Sequence, residues 1–173
     1  IHNPETRQLT GQKWASKRWI CCVLRFKNRQ RTIMGNSYTE LFFLDEVSAL
    51  SAGHRPCFEC RRKDANHFAS LWKTVHGFSK KSRADEMDMV LHDERTQNKP
   101  TISNQEADAL PDASMIKIGK DILAKKNNAW KLWSGDGYTD VQITDDMIEL
   151  LTPTSIIEVL KAGYEPKWHE SAH

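Results

Sequence analysis

The residues best suited to chemistry in this chain are Cys57 and Cys60, in the run Gly53-His54-Arg55-Pro56-Cys57-Phe58-Glu59-Cys60-Arg61-Arg62. A C-x-x-C spacing lets two thiolates point at one ion while the intervening amides fold beneath the sulfurs. Zinc is the ion this favours, because it takes soft thiolates in tetrahedral geometry. One such pair is half a site, and the other ligands have to come from elsewhere in the chain. The remaining two cysteines, Cys21 and Cys22, are adjacent. That arrangement makes a poor disulfide framework, so the thiols are expected to be reduced, as in a cytoplasm.

Neighbouring elements must position these sulfurs. Residues 19–26 (WICCVLRF) and 38–44 (YTELFFL) are rich in aromatic and β-branched residues and are predicted as strands. Asp45 is predicted to cap a short helix, EVSALSA, which Gly53 stops. Asp64 is predicted to cap a helix over 65–76, with Phe68, Leu71, Trp72 and Val75 on one face and Gly77 at its end. Ser82 would cap another over 83–96, with Ala84, Met87, Val90 and Leu91 as its apolar stripe. The polar stretch 97–113, with Pro100 and Pro111, is expected to be loop or linker. Short strands are predicted at 115–118, 121–124, 130–133 and 141–144, with turns at Asn127-Asn128 and Gly135-Asp136-Gly137. Thr152-Pro153 opens a last helix through Ala162. The run Leu50-Ser51-Ala52-Gly53-His54-Arg55-Pro56 is echoed by Leu160-Lys161-Ala162-Gly163-Tyr164-Glu165-Pro166. That pair reads as a repeated helix-stop signature rather than a duplicated domain.

The segment from Trp19 to Lys63 resembles the zinc-binding N-terminal domain of the Ada family, bacterial proteins that repair methylated phosphotriesters in DNA. The residues that carry the likeness are the strand ending in Cys22, then YTELFFL, EVSALSAG and HRPCFECRR. The match is close over 44–62 and looser before it. The family's site has four cysteines, the first two separated by three residues. Matching Cys22 to the first puts Phe26, which cannot bind metal, at the second. The resemblance therefore implies Cys22, Cys57 and Cys60 as zinc ligands, with a fourth position left for a histidine or water. His2, in the irregular N-terminal stretch, is favoured, ahead of His67 and His54. Cys21, next to Cys22 in a strand, would point to the opposite face. In the Ada family the first cysteine accepts the methyl group. Replacing a thiolate by imidazole would make the remaining sulfurs poorer nucleophiles, so structural zinc is expected rather than methyl transfer.

Length and composition bound the rest. A chain of 173 residues with 39% hydrophobic residues can bury a core. No apolar run approaches membrane-spanning length, and no signal peptide is visible. Net charge is +2, but residues 1–83 carry +10 and residues 84–173 carry −8. Such segregation either neutralises across an internal interface or leaves a basic footprint for a phosphate-bearing partner. Arg25, Lys27, Arg29 and Arg31 would fall on one side of an extended strand. With Arg61 and Arg62 of the knuckle, they form a candidate track for DNA or RNA.

The expectation is an α+β protein with a zinc-binding module over 1–80, helix and polar linker over 81–110, and a strand-rich extension with a C-terminal helix over 111–173. Its predicted role is a zinc-binding protein with a nucleic-acid face. The alternative is a zinc-dependent hydrolase with an open metal position and Glu59 or Glu94 as proton carrier. A deaminase-like variant of that alternative would combine Cys57 and Cys60 with His92-Asp93-Glu94, and a nuclease-like one would use Asn66-His67 after the knuckle, where no paired histidine follows at suitable spacing.

Overall fold

The computed structural model describes residues 1–30, 32–78, 83–142 and 147–173. It is mixed α+β, and its elements run in chain order as follows. The first half holds β1 (Ile20–Cys21), α1 (Glu46–Ser51), β2 (Arg55–Pro56), α2 (Arg62–His76) and α3 (Arg83–Thr96). Next come β3 (Thr101–Ile102), α4 (Asn104–Asp108), β4 (Met115–Ile118), β5 (Asp121–Lys126) and β6 (Ala129–Trp133). The chain closes with β7 (Tyr138–Asp140), β8 (Ile148–Leu150), α5 (Thr154–Lys161) and a final 3-10 turn at Glu170–Ala172.

Six strands form one antiparallel sheet in the order β3-β8-β4-β5-β6-β7. The β5–β6 hairpin turns at Asn127 and Asn128, whose φ angles of 52° and 58° suit the tight two-residue turn their sequence predicts. The Asp112 carboxylate accepts both of their backbone N–H groups. The strand expected at 141–144 is displaced to Tyr138–Asp140, and residues 143 and 144 lie outside the described residues. Two strands, β3 and β8, pair with each other and were not predicted. Each is only two or three residues long, too short for period-2 alternation to show.

The helices follow their sequence signals more closely. Asp45 caps α1 in a reciprocal box with Ser48. Gly53 ends it with φ +76°, while the His54 N–H reaches the Ala49 carbonyl at 3.0 Å. α5 ends the same way. Gly163 has φ +101° and the Tyr164 N–H reaches Val159 at 3.2 Å, so the sequence echo is a shared left-handed stop. Asp64 does not cap α2, which begins earlier at Arg62. Instead Asp64 sits in the first turn, held by Arg61. The proposed cap of α3, Ser82, lies outside the described residues.

One core draws on all three stretches that the sequence separated. Val47, Leu50, Phe68 and Trp72 pack with Met87 and Leu91 of α3, and with Met115, Ala124, Tyr138, Ile156 and Val159. α2 lies against α5 within it. On α3 the buried face includes Asp88 and His92 as well as Met87 and Leu91, whereas Val90 is exposed. Asp88 is tolerated there because Arg55 grips both of its oxygens, at 2.8 and 2.7 Å.

Residues before Asp45 behave differently. Of the strand expected over 19–26, only Ile20–Cys21 is regular, pairing in parallel with Arg55–Pro56. No strand forms over 38–44. Leu24 is 85% exposed and Phe42 63%. Strand preference is largely a preference for covering neighbours on a pleated surface, and these side chains find none.

Candidate metal centre

The knuckle between β2 and α2 is built by backbone hydrogen bonds. The Cys57 N–H donates to the Cys21 carbonyl at 3.2 Å, and the Arg61 N–H to the Cys57 carbonyl at 3.0 Å. Two more amides point at sulfur. The Glu59 N–H lies 3.4 Å from Cys57 Sγ, and the Val23 N–H 3.4 Å from Cys60 Sγ. Parallel pairing of β1 with β2 carries Cys22 to the same place. The sulfurs of Cys22, Cys57 and Cys60 all lie within 4.8 Å of one another. Tetrahedral coordination at Zn–S distances of about 2.3 Å needs sulfurs about 3.8 Å apart, so the group is compact enough to hold a metal ion. Cys57 is buried, Cys60 half-buried and Cys22 exposed.

The three thiols ionise unequally. Burial, followed by the charges of Cys57 and Cys60, pushes the Cys22 thiol far up. Burial also raises Cys60. For Cys57 burial opposes ionisation, but the Cys60 and Glu59 backbone N–H groups outweigh it and the thiol is lowered. Full ionisation of three sulfurs this close is opposed by their mutual repulsion, and a divalent ion that displaced the protons would relieve it. Cys21 stands apart as strand alternation predicts, with its sulfur 3.4 Å from Arg61 Nη1.

None of the three candidate histidines joins the sulfurs. His2 Nδ1 pairs with Thr39 Oγ1 at 2.7 Å and Nε2 with the Gly35 carbonyl at 2.7 Å, so both ring nitrogens are occupied. His54 is buried between the rings of Trp19 and Phe43. His67 is exposed on α2, beside Tyr164. Among the described residues no fourth histidine, cysteine or acidic side chain completes the group. The deaminase-like set is not assembled either. Glu94 accepts the Ser155 N–H at the start of α5, and His92 lies edge-on to Trp14.

The basic residues divide into two sets. Arg61, expected on a nucleic-acid face, is instead buried. Its Nη2 donates to Glu46 at 2.6 Å and to Asp64 at 2.8 Å, because a guanidinium under a packed helix start must be matched by carboxylates. Glu46 also accepts the Tyr164 hydroxyl at 2.7 Å and the Lys167 N–H at 2.9 Å, tying the knuckle to the C-terminal segment. Arg25, Lys27, Arg29 and Arg62 are exposed. Arg25, Lys27 and Arg29 line a shallow concavity with Asn28 and Gln30. Lys27 and Arg29 both lie over the Phe26 ring, at 5.1 and 5.6 Å. Arg31 lies outside the described residues.

The sequence reading missed the carboxylates that answer these arginines. Asp45-Glu46, an acidic pair opening a helix, was the available sign for Arg61. No periodicity in α3 marks Asp88 as the partner of Arg55. No described helix is long and apolar enough to cross a membrane. No protein-family model, curated protein or solved structure matches the chain.

Proposed function

We propose that the chain binds zinc through Cys22, Cys57 and Cys60, and that the metal fixes a basic arm for contact with nucleic acid. The meeting of Cys22 with the knuckle sulfurs carries this reading. It joins a segment with little regular structure to the start of α2, and the first cation of the candidate track, Arg25, follows three residues later. Thiolate donors suit zinc, and the Ada-like pattern around Cys57 and Cys60 agrees with it. When bound, the ion would neutralise the sulfurs and cross-link the arm to the body. Arg25, Lys27, Arg29 and Arg62 would then meet phosphates by charge, without reading bases.

The exposed Cys22, with no fourth ligating side chain beside the sulfurs among the described residues, also allows an open metal position. A hydrolase would need a proton carrier beside it. Glu94 is engaged at α5, and Glu59 grips Arg29, so the structural role is favoured.

Metal analysis of the purified protein should return one zinc per chain. Cobalt substitution should give the charge-transfer and tetrahedral bands of thiolate ligation, both lost in Cys57→Ser. Anisotropy titrations with labelled single-stranded and duplex oligonucleotides should show affinity falling with salt, with a log–log slope of about −2 to −4 for a handful of phosphate contacts. Arg25→Glu with Lys27→Glu should weaken binding by about tenfold or more. Metal-free protein with normal arm protection would remove the zinc half of the proposal. Salt-independent binding, or none, would remove the nucleic-acid half.

A further inference from the structure

The concavity and the cysteine knuckle meet at one pair of side chains. Arg29 Nη1 donates to Glu59 Oε2 at 3.1 Å, and its Nη2 donates to Oε1 of the same carboxylate. This is a two-pronged contact, the geometry with which a guanidinium also takes a phosphate. Glu59 lies between the two knuckle cysteines, so the same turn that aims Cys57 and Cys60 fixes its backbone. Arg29 is one of the three cations lining the concavity and lies over Phe26. Burial does not account for the pair, because both side chains are about half exposed. Nor does the pair hold the fold's core together, since neither residue belongs to it.

We propose that Glu59 is a built-in competitor for the anion site: it occupies the fork of Arg29, and a nucleic-acid phosphate must displace it to bind. This rests on the nucleic-acid reading of the basic arm. Arg25 and Lys27 supply the first attraction, and Arg29 joins once its fork is released. The guanidinium keeps its charge on release, because arginine holds its proton at any working pH. The exchange swaps one exposed anion for another, so the brake is modest. Its effect is to discourage single phosphates while permitting a polyanion that engages several cations at once.

The test is a double-mutant cycle with Glu59→Gln and Arg29→Gln, titrated with a labelled single-stranded oligonucleotide at several salt concentrations. Zinc content is measured on every variant, to show that the knuckle is intact. Glu59→Gln alone should tighten binding about threefold and steepen the salt slope by somewhat less than one, as one more cation reaches phosphate. In the Arg29→Gln background the same change should have no effect. An equal gain in both backgrounds would mean that Glu59 acts only through its long-range charge, and would overturn the proposal. Unchanged affinity in Glu59→Gln, with wild-type binding intact, would overturn it while leaving the nucleic-acid reading standing. Failure of both wild type and Glu59→Gln to bind would sink both.

Discussion

Residues 1–44 and residues 45–173 are held in place by different forces. In the second region apolar side chains are covered: Phe68, Leu50, Met87 and Ile156 have no exposed surface. In the first, Leu24, Phe42, Leu41 and Ile33 are more than half exposed. There the chain meets the body at points: Trp14 edge-on to His92, the Lys17 carbonyl on Arg95, Ile20–Cys21 paired with Arg55–Pro56, and Cys22 beside the knuckle sulfurs. A segment fastened by polar points is removable without unfolding what it is fastened to, and a segment that shares the core is not. If zinc is the strongest of those points, metal decides the state of the arm and hydrophobic burial decides the state of the body.

The largest expected effect separates the two regions outright. Phe68 is fully buried, with its ring edge-on to Tyr164 at 5.1 Å. Phe68→Ala should cost about 3–5 kcal/mol in urea unfolding followed by far-UV dichroism. Cys22→Ser should leave that midpoint within about 0.5 kcal/mol while abolishing amide protection near residues 20–23 in hydrogen exchange. A shared loss in both measurements would mean that arm and body form one cooperative unit, and the contrast would be lost.

What could be read from the sequence follows the same division. α1, α2, α3, α5 and the β4–β5–β6 meander were visible because apolar spacing, the Asp45 cap, glycine stops, Pro153 before the last helix and an Asn-Asn turn act locally. The meeting of Cys22 with Cys57 and Cys60 was expected only through the resemblance to the Ada-type domain, and Cys21 turned away as alternation required. The two arm strands failed because WICCVLRF and YTELFFL have strand composition without a surface to cover them. His2 failed as a ligand because Thr39 and Gly35, distant in sequence, supply its partners. Arg61 failed as a phosphate contact for a similar reason. Asp64 answers it from three residues on in the same turn, but Glu46 is brought to it by the tertiary fold, and the acidic Asp45-Glu46 pair was its one sign in the sequence.

His54 lies on the border between the regions, and pH reports on it. Burial, helped by the nearby Arg95 charge, lowers its pKa from 6.5 to about 4. The folded state therefore resists a proton that the unfolded chain accepts below about 6.5. Its contribution is fully present above that pH, declines as pH falls towards about 4, and amounts to about 3 kcal/mol at most. His54 sits against Trp19 and Phe43, and its Nδ1 has no hydrogen-bond partner among the described residues, so phenylalanine fits among these rings at the loss of the imidazole's contacts with the Ala49 and Ala52 backbone. Stability of His54→Phe minus wild type, measured at pH 7.5 and again at pH 4.5, should shift in the variant's favour by about 2–3 kcal/mol at the lower pH. A constant difference would show that the imidazole is hydrated or protonated in the folded state.

The smallest effect is the sharpest comparison, because the two helix stops differ only in what lies above them. At Gly163 a Cβ would meet open space, and at Gly53 it would come within 2.7 Å of Arg95 Cγ. Both have positive φ, so Gly163→Ala and Gly53→Ala should each lose about 1–2 kcal/mol from backbone strain alone. Arg95 is long enough to move aside, which keeps the extra penalty at Gly53 small. Its guanidinium, however, stacks 4.5 Å over Trp19, donates to the Lys17 carbonyl at 2.9 Å and donates to the Gly53 carbonyl at 2.6 Å. Displacing it loosens the arm. Limited proteolysis should therefore cut Gly53→Ala within residues 1–44 faster than wild type, and Gly163→Ala at the wild-type rate, although the two variants unfold at similar urea concentrations. Equal arm cleavage in both would assign the Arg95 contacts to the body, and would leave the cysteine cluster as the arm's main attachment.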